Sequence, residues 1–237
     1  MEQNLIVEKN KENVASMFDD IAPSYDFLNH FLSLNIDKGW RKKAVKILSA
    51  YSPKSILDVA TGTGDLAIAM LKLNPEKIIG IDISKEMLEV GKKKISDLDK
   101  QQTIELQQAD AENIPLPENT FNAVTVAFGV RNFEHLDKGI LEIYRVLAPK
   151  GVFLILEFSR PKNNFLGLLF KFYFGHILPF LGSLFSKNKV AYKYLFQSVQ
   201  QFPSGDEMKI KLISLGFKNV KAKTLSMGIA TIYTASK

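Results

Sequence analysis

The sequence predicts an α/β protein: one domain on a mostly parallel sheet of seven strands, with helices on both faces and an antiparallel hairpin at the end. Three observations predict it. From residue 55 onwards short apolar runs alternate with stretches of helical periodicity, the order that strand-helix-strand crossovers require. A glycine-rich turn directly follows the first run. The last two β-rich stretches, 220–225 and 229–235, flank Met227 and Gly228, which is a hairpin pattern.

Each element follows from local pattern. Residues 13–50 read as helices broken near Pro23 and Asn35, with Trp40, Ala44, Val45 and Leu48 forming an apolar stripe at helical spacing. This is an N-terminal helical cap. Residues 55–60 (SILDVA) form a first strand bounded by Pro53 and the glycines, and 66–73 a helix. A second strand covers 78–83 (IIGIDI), after which Ser84 caps a helix reaching Ile95. Further strands fall at 104–108, at 121–128 (FNAVTVAF) and at 151–158 (GVFLILEF), with a helix over 136–147. Residues 160–200 are a helical insertion, and a helix over 206–215 is stopped by Gly216 before the hairpin.

No internal repeat and no Pro/Gly/Ser-rich linker divides the 237 residues, so the whole chain reads as one domain with a cap at 1–50 and a lid at 160–200. Its 46% hydrophobic and 24% charged residues fit a folded globular protein. The absence of cysteine excludes disulfides, thiolate metal sites and cysteine nucleophiles, and three histidines make a bound metal unexpected. The first residues, MEQNLIVEKNKENV, hold no apolar run long enough for a signal peptide, so the reading is a cytoplasmic protein. The net charge of +6 is uneven: residues 160–200 hold six Lys or Arg, no Asp or Glu, and ten Phe or Tyr.

The chemistry gathers at strand ends. Gly62 and Gly64 permit a tight turn and close backbone approach to a ligand after the first strand. Asp82, 18 residues beyond Gly64 at the end of the second strand, can accept both hydroxyls of an adenosine ribose. After the third strand, Asp110 and the backbone of Ala111 offer a carboxylate and an amide to an adenine edge. Residues 62–67 (GTGDLA) also match the dinucleotide fingerprint, so a nicotinamide-dependent oxidoreductase is the rival reading. Charge separates the two. Asp58 and Asp65 would set carboxylates against a pyrophosphate, whereas S-adenosylmethionine brings a sulfonium and an ammonium group to the same place. No Lys-Ser or Lys-Thr follows the glycines, which sets P-loop chemistry aside.

Two longer segments carry a resemblance. Residues 14–40, VASMFDDIAPSYDFLNHFLSLNIDKGW, and 145–159, RVLAPKGVFLILEFS, resemble the paired signatures of the ubiquinone/menaquinone biosynthesis C-methyltransferases, the UbiE/MenG family. DVATGTGD, DAENIPLPENTF and FGVRNF stand between them at the corresponding places, so the similarity spans nearly the whole chain. It implies a class I, Rossmann-like methyltransferase that moves a methyl group from S-adenosylmethionine to a ring carbon of a polyprenylated quinol. Demethylmenaquinol is the substrate that the overall resemblance favours, with a ubiquinone precursor as the alternative. By the same resemblance Thr63, Asp82, Asp110 and Ala111 contact the cofactor, and Tyr25, Asp26, Asn29, Arg131 and Asn132 face the quinol. Two positions depart from the family pattern: Asp37 stands where His is frequent, and Lys150 replaces the first glycine of a Pro-Gly-Gly.

An aromatic carbon becomes nucleophilic when a neighbouring hydroxyl loses its proton, so the protein must favour a phenolate. Arg131 can do so electrostatically while Tyr25 and Asn132 hold the hydroxyl in line, and Asp26 or His30 is the candidate base. His176 reads as a packing residue, and His135 as the neighbour of a helix start. Residues 164–185 approach the length of a membrane span, but Lys171, His176 and Pro179 interrupt them. A lid making peripheral contact with the inner face of a membrane is the reading instead, its basic residues suiting anionic lipid. No nucleic-acid partner is expected, and monomer and homodimer are both left open.

Overall fold

Seven strands form one sheet in the order β3-β2-β1-β4-β5-β7-β6 in the computed structural model, which describes residues 9–33, 35–160 and 189–237. The parallel strands are β1 (Ser55–Val59), β2 (Lys77–Asp82), β3 (Ile104–Gln108), β4 (Phe121–Ala127) and β5 (Leu147–Phe158). β6 (Lys218–Leu225) and β7 (Ala230–Ser236) close the sheet as the antiparallel hairpin that the pattern predicts. The described α-helices are α1 (Lys11–Leu32), α2 (Ile36–Leu48), α3 (Asp65–Met70), α4 (Lys85–Asp97), α5 (Leu136–Val146), α6 (Lys189–Gln201) and α7 (Asp206–Ser214).

Alternation along β1 builds two cores. Ile56 points to the face covered by α2, α3 and α4, where it meets Trp40, Ala44, Leu48, Met70 and Leu88. Leu57 and Val59 point to the other, against Ile140 and Ile143 of α5 and Met208 and Leu212 of α7. Both faces are buried, which is why these strands read as continuous apolar runs. Chain order reverses between β1 and β4, so the loops at their carboxyl ends splay apart and leave a crevice.

Two boundaries differ from the sequence reading. α1 runs without a break through Pro23, although a proline inside a helix costs about 3 kcal/mol. Anchors on both sides of the proline hold the helix. Asp19 accepts the Ser84 hydroxyl at 2.6 Å and the Glu86 N–H at 3.1 Å, and Asp26 accepts the Thr63 hydroxyl at 2.6 Å. The predicted break at Asn35 is present, with Asn35 left-handed at φ 59°. The second difference is at β5, which begins at Leu147 and bulges before Gly151, so α5 ends one residue earlier than its periodicity suggests.

The predicted lid falls mostly on residues 161–188, outside the described residues, and His176 lies there too. Among the described residues no helix is long and apolar enough to cross a membrane.

Candidate active site

The crevice opens into a cavity of about 940 Å³, its mouth included, at the carboxyl ends of β1, β2 and β4. Of the predicted site residues Tyr25, Asp58, Gly62, Thr63, Asp82, Asp110, Ala111 and Asn132 line it. Gly64, Asp26 and Arg131 are not among its lining residues.

One side of the cavity is a row of carboxylates. Asp58 is 1% exposed, and its two oxygens accept the hydroxyls of Thr125 at 2.6 Å and Thr61 at 2.7 Å. Burial pushes its carboxyl up to about 6 against those two hydrogen bonds. At the end of β2, Asp82 accepts the Gly62 N–H at 2.7 Å and the Ser84 N–H at 2.9 Å, so one side chain ties the glycine turn to the next helix. Burial raises this carboxyl as well, opposed by the backbone N–H groups of Ser84 and Gly62. Gly62 has φ 56°, and a Cβ built on it would meet nothing within 4 Å, so the turn presents bare backbone to an open cradle. Gly64, at φ 80°, starts α3 and packs beside Ile95 and Leu106 behind the turn.

Asp110 follows β3 and is already engaged. The Lys11 ammonium lies 2.6 Å from it and 3.1 Å from Glu112, which ties the start of α1 to the β3 end of the row. Glu112, buried, also accepts the His135 backbone N–H at 2.9 Å at the start of α5.

The cap supplies the opposite wall. Tyr25 of α1 reaches into the cavity, and burial pushes its hydroxyl up to about 12. It therefore stays a protonated hydrogen-bond donor at neutral pH. Asp26 turns the other way and accepts from Thr63 and, at 2.8 Å, from Lys94. Asn132 accepts the Tyr194 hydroxyl at 3.2 Å, which fixes its amide. Arg131 is buried beneath Asn132's loop: its guanidinium pairs with Glu157 at 2.7 Å, donates to the Phe128 carbonyl and to Ser198, and lies over the Phe158 ring. Burial holds the Glu157 carboxyl above its ordinary value despite Arg131.

Several contributors escaped sequence reasoning. Ala60 (φ 52°) and Phe128 (φ 60°) end β1 and β4 in left-handed conformations that only a determined surrounding supports. Phe128 stacks on Phe158 at 4.8 Å between ring centres, with Trp40 at 6.0 Å from each. Trp40 is pinned by its indole N–H on Ser226 at 2.8 Å. Arg41, buried, lines the cavity beside Asp65. Its signal was the i, i+4 spacing to Asp37, with which it pairs. His30, Asp37 and Asp65 bring ligand atoms within 4.8 Å of one another. Arg41 sits on both carboxylates and Lys94 lies 2.5 Å from Asp65, so the cluster is held by ion pairs.

Glycine cradle, carboxylate row and topological switch point together define a class I S-adenosylmethionine-dependent methyltransferase. The donor set fits that cofactor: carboxylates face where its cations lie, and no phosphate-binding cluster of cations lines the turn among the described residues. Residues 6–237 match the model of the ubiE/COQ5 methyltransferase family, and the chain belongs to that family. It is 46% identical over 230 residues to the demethylmenaquinone methyltransferase of Bacteroides fragilis, covering 97% of this chain and 94% of that one. It is 47% identical over 229 residues to the ubiquinone/menaquinone biosynthesis C-methyltransferase UbiE of Geotalea daltonii, covering 95% and 97%. Among solved structures, an S-adenosylmethionine-dependent methyltransferase from Thermotoga maritima shares the fold with TM-score 0.64 at 19% identity, over 94% of this chain and 99% of that one. The nicotinamide-dependent alternative is not favoured.

Proposed function

We propose that the chain methylates a ring carbon of a polyprenylated quinol, with demethylmenaquinol as the substrate. The observation that carries this reading is the wall facing the carboxylate row, where Tyr25, Phe128, Asn132 and Phe133 offer aromatic surface and two neutral polar groups to a flat hydroxylated ring. The name of the Bacteroides relative supports the naphthoquinol, and that of the Geotalea relative keeps a ubiquinone precursor as the second reading.

Bound S-adenosylmethionine supplies an electrophilic methyl group on a sulfonium. The chain's own residues do the rest. Asp82 takes the ribose hydroxyls, Asp110 and the Ala111 backbone take the adenine edge once Lys11 yields its place, and Asp58 faces the cationic methionyl end. The protonated Tyr25 hydroxyl and the Asn132 amide hold the quinol oxygen. Arg131, kept charged against Glu157, favours the phenolate through its field, the hydroxyl proton leaving to solvent before methyl transfer and the ring-carbon proton leaving to solvent after it, which restores the aromatic ring. Asp26 serves as the clamp that seats the cap on the cofactor turn. The basic, aromatic residues of 160–200 meet an anionic membrane surface from which the prenyl tail enters.

The test offers reduced naphthoquinol and benzoquinol with S-adenosylmethionine and identifies the product by mass. Methylated naphthoquinol is expected, and Arg131→Ala should slow its formation while leaving cofactor affinity unchanged. Cofactor binding without methyl transfer to either ring would overturn the reading. Co-sedimentation with anionic liposomes, lost at high salt, tests the membrane contact, and failure to sediment at low salt rejects it.

A further inference from the structure

S-adenosylmethionine carries three charges at its methionyl end, and the carboxylate row answers only two of them. Asp110, Asp82 and Asp58 lie on β3, β2 and β1 or just beyond them, and those strands are neighbours in that order. Adenine therefore lies past β3, ribose at β2, and the amino-acid tail at the ends of β1 and β4. Sulfonium and ammonium suit Asp58. The α-carboxylate would face Asp58 and Asp65 unmatched unless a cation meets it.

Two cations line the cavity among the described residues, Lys11 and Arg41. Lys11 is at the adenine end, on Asp110. Arg41 is at the other: it lies 3.5 Å from Asp65 at the start of α3 and 5.7 Å from the centre of the Phe128 ring at the end of β4. Its side chain is 10% exposed and is fixed from behind by Asp37. The 3.5 Å approach to Asp65 is longer than a charge-assisted hydrogen bond, and Lys94 already holds Asp65 at 2.5 Å. That arm of the fork is the one an incoming carboxylate can take.

We propose that Arg41 is a cofactor-binding residue whose guanidinium receives the α-carboxylate of S-adenosylmethionine, while Asp37 holds it in place. This deepens the cofactor assignment above and rests on it. A planar fork matches a carboxylate better than an ammonium would. The cap thereby reads the amino-acid tail, and a nucleoside without that carboxylate is discriminated against.

Calorimetry with S-adenosylmethionine and its decarboxylated analogue tests the assignment without turnover. Wild-type protein should bind the analogue at least about tenfold more weakly. In Arg41→Met the two ligands should bind within about twofold of each other, and Arg41→Lys should show an intermediate ratio. Should the methionine variant fail to fold, the lysine variant decides. Equal binding by wild-type protein, or undiminished discrimination in the folded variants, overturns the proposal. Asp82→Ala in the same series should weaken both ligands alike. If it weakens neither, the placement of the cofactor fails, and it does so separately from the Arg41 result.

Discussion

The Asp26 carboxylate on the cap helix accepts the hydroxyl of Thr63 in the glycine turn at 2.6 Å, and Lys94 of α4 closes on its second oxygen at 2.8 Å. Cap, turn and α4 are thus one hydrogen-bonded unit. An Asn at position 26 keeps the acceptor for Thr63 and loses the charge that holds Lys94. Asp26→Asn is expected to weaken cofactor binding about tenfold and to leave kcat at saturating cofactor nearly unchanged. Removal of a general base would instead lower kcat by about 10²- to 10⁴-fold and flatten its pH profile. Steady-state kinetics across neutral pH separates the two, and the second outcome would return the proton transfer to Asp26.

With Asp58 facing the cationic end of the cofactor as proposed, cofactor binding should be pH-dependent. Its carboxyl, ordinarily near 3.8, titrates at about 6 because burial disfavours the charge. A cationic ligand binds the ionised form, so affinity should fall as pH drops through about 6, and Asp58→Asn should bind weakly at every pH. Stability follows the opposite course. The folded value lies above the unfolded one, so Asp58 contributes stability that is fully present below about pH 4 and lost as pH rises through about 6. In ligand-free protein at neutral pH, Asp58→Asn should therefore raise Tm by several degrees. Calorimetric titrations and thermal melts at three pH values check both signs.

Arg131 and Glu157 form a pair that neither partner tolerates losing. Glu157 is fully buried at the carboxyl end of β5, and Arg131 is nearly as deeply buried. Glu157→Ala leaves a buried cation unmatched and should cost about 3–5 kcal/mol, which for a chain this long lowers Tm by about 10 °C. Replacing both residues by Leu should cost less than the sum of the single replacements and still slow methyl transfer. Chemical denaturation of the cycle measures the coupling, and strict additivity would show that the pair is not the unit described.

The order of elements was legible because both faces of the central sheet are covered, so β1, β2, β4 and β5 read as apolar runs. The carboxylates were legible too, since Asp58, Asp82 and Asp110 lie on strands or just beyond them. What sequence could not supply came from distant partners. Pro23 sits inside a helix because Ser84 and Thr63, far along the chain, anchor its flanks through Asp19 and Asp26. Arg131 read as a group facing the quinol, although a lone Glu in the run GVFLILEF was the sign that some cation had to be buried beside it. Arg41 reaches the cavity because α2 packs against α3 and β5, which sets its guanidinium beside Asp65 and the Phe128 ring.

Lys150 carries the last prediction. Between the pairs Phe121↔Leu147 and Ala123↔Val152, β5 spends more residues than β4, and the surplus forms a bulge over Ala148 to Gly151. Lys150 takes φ 65° there, a left-handed conformation that costs a side-chain-bearing residue about 1–2 kcal/mol. Gly151 has no choice, because a Cβ on it would come within 2.7 Å of Leu147 and 2.8 Å of the Ala148 carbonyl. Lys150 is exposed and makes no such demand, so the glycine that the family signature carries at this place relieves strain without opening a gap. Part of the gain is returned as entropy of the unfolded chain. Lys150→Gly should stabilise the protein by about 0.5–1 kcal/mol, raise Tm by about 2–3 °C and leave turnover unchanged. Thermal melts of the two proteins side by side measure it, and an unchanged or lowered Tm would mean that the bulge bears no strain at this residue.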